Sequence, residues 1–439
     1  MCTISFPIFG KNNHGVKHLD FRDFRKAGHW PTLLAAFLYF GLSFTAWVAL
    51  GPLIIYIAKD ITLTVDDKFT LVAIPILSGA LLRIPLGALA DHFGGKRSAI
   101  AAQMLMIAGL AWAWVSGLDG KLDIALLGLV LGVAGASFAV ALPQASRWYP
   151  PHYQGIVMGI AGAGNMCVVL TSLTAPWLAE TLGWRNVFGV LLALLLALLI
   201  VYALIAKDAP GTRQQLNWAG YRALFGDRDS WWFMLFYFIT FGGFVGLANV
   251  LVLYFTVQYH VSGIAAGLMV SIIVLLGSLA RPIGGMVADR IGGIRSLQFL
   301  FIVVAASYTI IAFMPSGPVP FDPAAGGWSF WQIPNIAWIS LSIFTVSAMA
   351  LGMGNGAVFQ LIPQRFRNEI GAITGLVGCG GGAGGFFLAK ALGLSQAWSG
   401  NFSGGFMVFA LLALLGLAGL VSVKRRWRTT WGAVSGARI

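Results

Sequence analysis

Long apolar runs separated by short polar segments recur along the whole chain of 439 residues. Each run is about twenty residues or longer, which is the length that an α-helix needs to cross the roughly 30 Å hydrocarbon core of a bilayer. The pattern predicts twelve membrane-spanning helices, numbered spans 1 to 12, at about residues 33–58, 70–90, 98–117, 123–146, 155–179, 185–206, 231–257, 263–286, 296–315, 335–360, 370–394 and 402–423. The expected fold class is therefore an all-α polytopic membrane protein.

Composition agrees with this class and argues against several others. The chain is 58% hydrophobic and only 10% charged, whereas a soluble chain is about one quarter charged. Its three cysteines, Cys2, Cys167 and Cys379, lack the spacing of disulfides or metal sites. The net charge of +13 is not arranged as a basic stripe interleaved with aromatic residues. We expect no metal, no cofactor, no enzymatic activity and no nucleic-acid partner, and a bilayer as the surroundings.

Basic residues divide sharply between the two sides of the predicted bundle. Of the 28 lysines and arginines, five lie on one side, two lie within spans, and the rest lie on the other side. The positive-inside rule then places both termini in the cytoplasm. The membrane that we expect to hold the protein is the cytoplasmic (inner) membrane. The predicted division is an N-terminal arm (1–32), a six-helix half (33–206), a cytoplasmic linker (207–230), a second six-helix half (231–423) and a cytoplasmic tail (424–439).

Two arginines, Arg83 and Arg281, interrupt spans 2 and 8 at matching places. The fifteen residues that begin at each arginine are identical at seven positions, including the ending Asp-x-x-Gly-Gly-x-Arg. Each arginine lies eight residues before the loop aspartate, about 12 Å along a helix and so near the membrane midplane. Such a charge costs roughly 2.5–3.5 kcal/mol to insert. The pair indicates two symmetry-related cations at mid-membrane.

The acidic residues offer these arginines no counter-ion within the membrane. Every Asp and Glu falls in a loop, at a span end or in the arm. A structural ion pair is the alternative to a ligand site, and this distribution argues against it. A guanidinium is planar and permanently charged, and its fork of donors matches two oxygens of a flat oxyanion. The sequence predicts an anion site between two six-helix halves, which is the architecture of a secondary transporter.

The repeat extends to other spans and leads to a known family. Leu-Pro-Gln at 142–144 in span 4 matches Ile-Pro-Gln at 362–364 in span 10, and glycine-rich segments occupy spans 5 and 11. With the arginine pair and the loop motif, these segments resemble the nitrate/nitrite porter family of the major facilitator superfamily across all twelve spans. The Arg83-x-Pro-x-Gly sequence and the complete loop motif are more similar to the family's assimilatory uptake branch than to its respiratory branch.

The resemblance implies further residues of the pocket. Phe138 and Phe359 occupy corresponding positions before the prolines of spans 4 and 10, and the family likeness implies that their rings clamp the flat anion. Tyr237 in span 7 matches the family position whose hydroxyl reaches the anion. Packing is the alternative for all three rings. Asn165 in span 5 could donate to the anion or bond to another helix.

The glycine segments and the loop motifs are predicted to serve conformational change. Close, sliding contact between the halves is expected at Gly162, Gly164, Gly378, Gly380, Gly381 and Gly382, with ordinary small-residue packing as the alternative. An ion-pair latch that breaks in one conformation is expected of the cytoplasmic gate motif, formed by Asp91, Gly94, Gly95, Arg97, Asp289, Arg290, Gly292, Gly293 and Arg295. A simple topology anchor is the alternative there.

The predicted function is import of nitrate, and handling of nitrite, by alternating access in a monomer. Two modes of coupling, nitrite exchange and proton symport, remain open. The six histidines lie in the arm or in loops and no Asp or Glu lies at the membrane midplane, which favours exchange, whereas the family branch favours proton-linked uptake. Another small inorganic or organic anion is the first alternative cargo. An anion sensor built like a transporter is the second alternative function.

Overall fold

All twelve predicted spans are helices. The computed structural model describes residues 21–210, 218–318, 332–366 and 370–431. Spans 1 to 6 comprise Trp30–Trp47 with Leu50–Asp60, Val65–Phe93, Gly95–Ser116, Lys121–Gly135 with Phe138–Ser146, Pro151–Gly162 with Val168–Leu182, and Trp184–Ile205. Spans 7 to 12 comprise Arg228–Tyr259, Gly263–Ile291, Gly293–Ala312, Asn335–Arg365, Ile370–Ser399 and Ser403–Thr429. Within these described residues, twelve segments are long and apolar enough to cross a membrane, which confirms the fold class. Short helices at Phe21–Ala27 and Trp218–Gly226 lie outside the spans.

The turns that follow spans 2 and 8 are built alike. Gly94 has φ 97° and ψ 148°, and Gly292 has φ 99° and ψ 140°, a backbone conformation that residues with a side chain rarely adopt. The second glycine of each pair is required by packing. A Cβ at Gly95 would lie 3.1 Å from the side chain of Gln144, and one at Gly293 would lie 2.5 Å from a side chain of span 10. The repeated Gly-Gly therefore makes a one-residue turn and a close helix contact in both halves.

Three helices of the first half are interrupted within the membrane. Span 1 breaks between Trp47 and Leu50, and span 4 breaks between Gly135 and Phe138. Span 5 passes through a 3₁₀ segment, Ala163–Cys167. Such breaks free backbone carbonyls from the helical hydrogen-bond ladder. The break in span 4 precedes Phe138, and the 3₁₀ segment of span 5 contains Asn165. Irregular backbone therefore lies next to two of the predicted pocket residues.

Span 12 continues as a helix to Thr429, beyond its predicted end at residue 423. The added turns dock against the start of span 7. The buried carboxylate of Asp229 accepts hydrogen bonds from Arg365 Nε at 2.8 Å and Trp427 Nε1 at 2.7 Å, and it pairs with Arg426. Arg426, one of the basic residues assigned to the tail, thus pairs with a buried acid and connects the extension of span 12 to span 7. We call this end of the bundle, where the described chain begins and ends, the basic face, and the other end the opposite face.

The two halves meet along several helix pairs, which include spans 1 and 7 at Gly51 and Asn249, and a first seam lies between spans 2 and 11. A Cβ at Gly382 would lie 2.5 Å from Ala80 Cβ, so the helices are in backbone contact there. Nearer the opposite face, Lys390 Nζ bonds both carboxylate oxygens of Asp66 at 2.7 and 2.8 Å and joins the halves. Two turns toward the basic face from Gly382, a Cβ at Gly375 would meet nothing within 4 Å. This seam is closed toward the opposite face and opens toward the basic face.

The second seam, between spans 5 and 8, behaves in the same way. A Cβ at Gly267 would lie 2.9 Å from Pro176 Cγ, and Ser271 Oγ donates to the carbonyl of Val169 at 3.5 Å. Toward the basic face, a Cβ at Gly162 would meet nothing within 4 Å. Over the described residues, the protein is therefore closed at the opposite face and open toward the basic face.

Candidate anion-binding site

Arg83 of span 2 is almost completely enclosed, with 1% of its surface exposed. Its Nη1 donates to the carbonyl of Gly378 in span 11 at 2.5 Å, and its Nε donates to the carbonyl of Gly135 in span 4 at 3.3 Å. The third nitrogen, Nη2, is buried without a hydrogen-bond partner. A buried charged donor that lacks an acceptor is costly. Nη2 therefore marks the place where an anion would be stabilised.

Three aromatic rings surround the guanidinium of Arg83. The distance from its Cζ to the ring centre is 5.8 Å for Trp47, 5.5 Å for Phe138 and 5.0 Å for Phe241. The negative face of an aromatic ring attracts a cation, most strongly where water is excluded. The rings therefore replace part of the hydration that Arg83 has lost and leave its charge available.

Arg281 of span 8 has fewer contacts than Arg83. Its side chain is partly exposed, and its Cζ lies 5.6 Å from the ring centre of Phe359. Glycine at position 356 of span 10 allows this approach, since a Cβ there would collide with the backbone carbonyl of Arg281. The two arginines match in sequence but differ in how firmly the protein holds them.

The rings of Phe138 and Phe359 face each other between the arginines, edge to face, with centres 6.4 Å apart. Tyr237 packs against Phe359 at 5.2 Å, also edge to face. The Tyr237 hydroxyl interacts electrostatically with both Arg83 and Arg281, although it completes no hydrogen bond of good geometry. The structure thus brings five of the six predicted binding residues into one cluster.

Asn165, the sixth predicted binding residue, is not part of the contacts just described. It lies in the 3₁₀ segment of span 5 and is 4% exposed. Its Oδ1 is buried without a hydrogen-bond partner, so the alternative helix-to-helix bond is not made through that atom. Because an amide oxygen only accepts hydrogen bonds, this atom is available to a donor such as water and not to an anion.

No carboxylate neutralises the centre of the described structure. Its ion pairs lie toward the two faces, such as Lys390 with Asp66 and Arg365 with Asp227, and neither Arg83 nor Arg281 takes part in one. Two guanidinium groups, a phenol hydroxyl and aromatic walls therefore share a buried space with an excess of positive charge. This arrangement fits a small anion held from both halves.

Gly378 and Gly382 in the span 11 glycine segment contact the other half. A Cβ at Gly378 would lie 3.2 Å from Arg83 Nη1, so the absent side chain allows the guanidinium to reach the Gly378 carbonyl. Gly382 packs against span 2, as described above. These two glycines have the contacts between halves that the sequence analysis predicted.

Other predicted sliding glycines pack within their own half. A Cβ at Gly164 would lie 2.9 Å from the carbonyl of Phe37 in span 1, and one at Gly380 would lie 3.1 Å from the carbonyl of Met234 in span 7. Gly381 contacts Tyr237, also in span 7. In this conformation, the contacts of these three positions fit the alternative of ordinary small-residue packing. For Gly380 and Gly381 the physical reason is that span 11 is covered on two sides, by span 7 and by span 2, and the sequence does not show which glycines face which neighbour.

The charges of the gate motif lie on the basic face. Asp91 pairs with Arg147 at the end of span 4, a partner that the sequence analysis did not identify and one that belongs to the same half. Arg97, Asp289, Arg290 and Arg295 are exposed. In this conformation the Asp91 pair joins helices inside the first half, so it is not itself a bridge between the halves.

The sequence analysis also missed three partners of Arg83: the rings of Trp47 and Phe241 and the carbonyl of Gly135. With 13% of the residues aromatic, one tryptophan in span 1 carries no signal of its own. The sequence shows the glycine at position 135 but does not show that its backbone carbonyl is free to accept a hydrogen bond. The helix break after Gly135 is what frees this carbonyl, and only the structure shows that break.

Two six-helix halves that enclose a central ligand site and are open toward one face define a secondary transporter. Comparison with known proteins agrees. The sequence pattern of the Major Facilitator Superfamily matches residues 35–389. The solved structure of the xylose transporter XylE from E. coli in a partially occluded inward open conformation has a TM-score of 0.64 at 14% identity, and the match covers 90% of this chain and 97% of that one.

Relatives of known sequence narrow the assignment. The "Nitrite extrusion protein" of Bacillus subtilis (strain 168) is 31% identical over 376 residues, which are 84% of this chain and 88% of that protein. The "Probable nitrate/nitrite antiporter NarK1" of Thermus thermophilus is 30% identical over 408 residues, 88% of each chain. The "Probable nitrate transporter NarT" of Staphylococcus carnosus (strain TM300) is 29% identical over 383 residues, 87% of this chain and 92% of that one. The chain therefore belongs to the major facilitator superfamily and, within it, to the nitrate/nitrite porter family.

Proposed function

We propose that this protein carries nitrate, and also nitrite, across the cytoplasmic membrane by alternating access, as a monomer and inward for nitrate. The observation that supports this most directly is the Nη2 of Arg83, a buried cationic donor without a hydrogen-bond partner in the cluster that contains Arg281, Tyr237 and two aromatic rings. The names of the relatives indicate which anions are carried, nitrate and nitrite. The whole site lies within one chain, which fits a monomer.

The pocket suits a flat anion of single charge. Guanidinium donors lie in one plane and match two oxygens of a planar oxyanion. The rings of Phe138 and Phe359 pack edge to face. They therefore give the site an apolar lining that excludes water. A tetrahedral phosphate would want a lysine or a histidine among its ligands, and the described cluster of Arg83, Arg281, Tyr237 and the two phenylalanines contains neither.

Counterflow tests this function directly. Purified protein in lipid vesicles preloaded with unlabelled nitrate is expected to take up labelled nitrate from outside, and external nitrite is expected to compete. Phosphate and formate test the alternative cargoes. Nitrate binding without any flux would instead identify an anion sensor, and no response to nitrate would contradict the proposal.

We propose that the basic face is cytoplasmic, because cytoplasmic loops carry the excess of Lys and Arg. The structure is then inward-facing: the seams are closed outside, where Lys390 and Asp66 join the halves, and open inside, at Gly375. Transport requires the reverse arrangement as well. Two unscreened cations repel each other as the halves close around them, and a bound anion reduces this repulsion. The empty protein should therefore interconvert less readily than the loaded one.

Replacing either ring of the pocket is expected to weaken anion binding more than turnover. Phe138→Ala or Phe359→Ala removes one wall, admits water and should raise the apparent KM for nitrate roughly fivefold to thirtyfold, as expected for a loss of about 1–2 kcal/mol. Uptake kinetics in vesicles provide the measurement. Phe255→Ala is the control, since Phe255 is buried as Phe138 is but packs on Tyr254. Unchanged KM in both pocket variants would show that these rings only pack.

Exchange with nitrite is the coupling that the residues favour. A proton symporter usually carries a titratable group along its pathway, and in the described structure no Asp, Glu or His contacts the two arginines. Uptake of nitrate is expected to need internal nitrite or nitrate and to ignore an inward proton gradient. The measurement is uptake into vesicles that are empty or preloaded with nitrite, with and without that gradient. Gradient-driven accumulation into anion-free vesicles would instead establish proton symport.

A further inference from the structure

Trp47 of span 1 lies beside Arg83 but belongs to none of the sequence motifs. It is 1% exposed, and its ring centre is 5.8 Å from the guanidinium carbon. We propose that Trp47 is a positioning residue that fixes the plane of the Arg83 guanidinium so that Nη2 faces the anion. This inference rests on the proposed function, because it identifies what orients one of the two cationic ligands.

The ring of Trp47 is held in place by a hydrogen bond and by close packing. Its Nε1 donates to the carbonyl of Pro75 in span 2 at 2.8 Å. Glycines flank the ring on two sides: a Cβ at Gly79 would lie 2.9 Å from Nε1, and a Cβ at Gly135 would overlap the ring. A side chain that is hydrogen-bonded at its tip and enclosed by two glycines has one available position. Trp47 is therefore a rigid wedge between spans 2 and 4.

The wedge acts on Arg83 through two contacts. Its ring lies against the guanidinium, and its edge lies against Gly135, whose carbonyl accepts the Nε–H of Arg83 at 3.3 Å. With Nε and Nη1 both bonded and the group walled by rings, rotation of the guanidinium is blocked. The donor that remains is Nη2. Arg281, by contrast, lies over the ring of Phe359 and interacts with Tyr237, but its side chain is partly exposed.

Loss of the wedge should affect recognition before it affects stability. Without the ring, the guanidinium can tilt and the Gly135 carbonyl can move, so Nη2 no longer lies in the plane of a flat anion. Nitrate should then bind more weakly, and discrimination against chlorate, a pyramidal anion of the same charge, should fall. A ring that only fills space would instead lower the melting temperature and leave both quantities unchanged.

The experiment compares Trp47→Leu with Trp47→Phe in nitrate-transporting vesicles. Trp47→Leu is expected to raise KM about tenfold or more, as loss of a desolvated cation–π contact implies, with kcat within twofold and nitrate-over-chlorate selectivity reduced at least threefold. Trp47→Phe keeps a ring and should hold KM within threefold. Trp114→Leu is the control, since Trp114 Nε1 also donates a hydrogen bond, to Asn186 at 3.1 Å, and its ring also packs on a glycine, Gly189; it differs from Trp47 in being 46% exposed.

A second variant keeps the test decisive if Trp47→Leu does not fold. Gly135→Ala retains Trp47 and pushes a methyl group into its ring, so it should raise KM and reduce selectivity in the same direction. Unchanged KM and selectivity in the folded variants would overturn the positioning role. Wild-type protein that moves no nitrate would overturn the proposed function instead, so the two failures are distinguishable.

Discussion

Nitrate uptake is expected to fall roughly 10- to 100-fold when either Arg83 or Arg281 is replaced by lysine. A charge-assisted hydrogen bond contributes about 1.5–3 kcal/mol, and each 1.4 kcal/mol is a factor of ten. Lysine keeps the charge, but its three donors radiate from a single atom. At position 83 that atom cannot reach the carbonyls of Gly135 and Gly378 and an anion in the fork arrangement that Arg83 uses. Initial rates of uptake into vesicles, with protein amount and folding matched, provide the measurement.

The control for these substitutions is Arg185→Lys. Arg185 also donates its Nε to a backbone carbonyl, that of Gly117 at 2.6 Å, and its Cζ also lies 5.0 Å from a ring, that of Trp184. It differs in being exposed, with 44% of its side chain accessible. Its lysine variant should transport normally. Near-normal uptake by both lysine variants at positions 83 and 281 would exclude a site built on two arginine forks.

The sequence was sufficient to predict the spans and the arginine pair, and the reason is physical. Twenty apolar residues in succession have few other stable environments, and a charge within such a run is rare enough to be informative. Because the chain repeats itself, the residues around Arg83 and Arg281 are enough to pair the two arginines. Their grouping with Phe138, Phe359 and Tyr237 followed from family resemblance and is what the geometry shows.

The sequence could not show two kinds of feature: which neighbouring helix a residue faces, and where the helical backbone is broken. Gly164 and Gly378 lie in similar glycine-rich segments, yet one faces span 1 of its own half and the other faces Arg83 across the seam. The direction of each depends on how the helices are rotated, which composition does not encode. Arg83 is held more firmly than Arg281 for similar reasons. A helix break at Gly135 frees a carbonyl for Arg83, and span 1 supplies the ring of Trp47.

The largest conformational effect is expected from Gly382→Ala. A Cβ at this position would lie 2.5 Å from Ala80 Cβ and 3.0 Å from Ala80 Cα, and neither backbone can yield without separating spans 2 and 11. Overpacking of this kind costs about 1–3 kcal/mol, which shifts an equilibrium between two conformations by roughly 5- to 150-fold. The variant should remain open at the opposite face and lose most nitrate uptake, while it still binds nitrate from that side.

Thiol labelling can report the state of the seam directly. Ile76 is fully buried beside Gly382 and Gly385, so a cysteine introduced as Ile76→Cys, with Cys2, Cys167 and Cys379 replaced, should react slowly with an impermeant maleimide. Adding Gly382→Ala should speed that reaction at least tenfold. Gly375→Ala makes the same change two turns away on the same face of span 11, where a Cβ meets nothing within 4 Å, and it should not speed labelling. Slow labelling with Gly382→Ala would mean that the helices absorb the methyl group, and that this contact does not control closure.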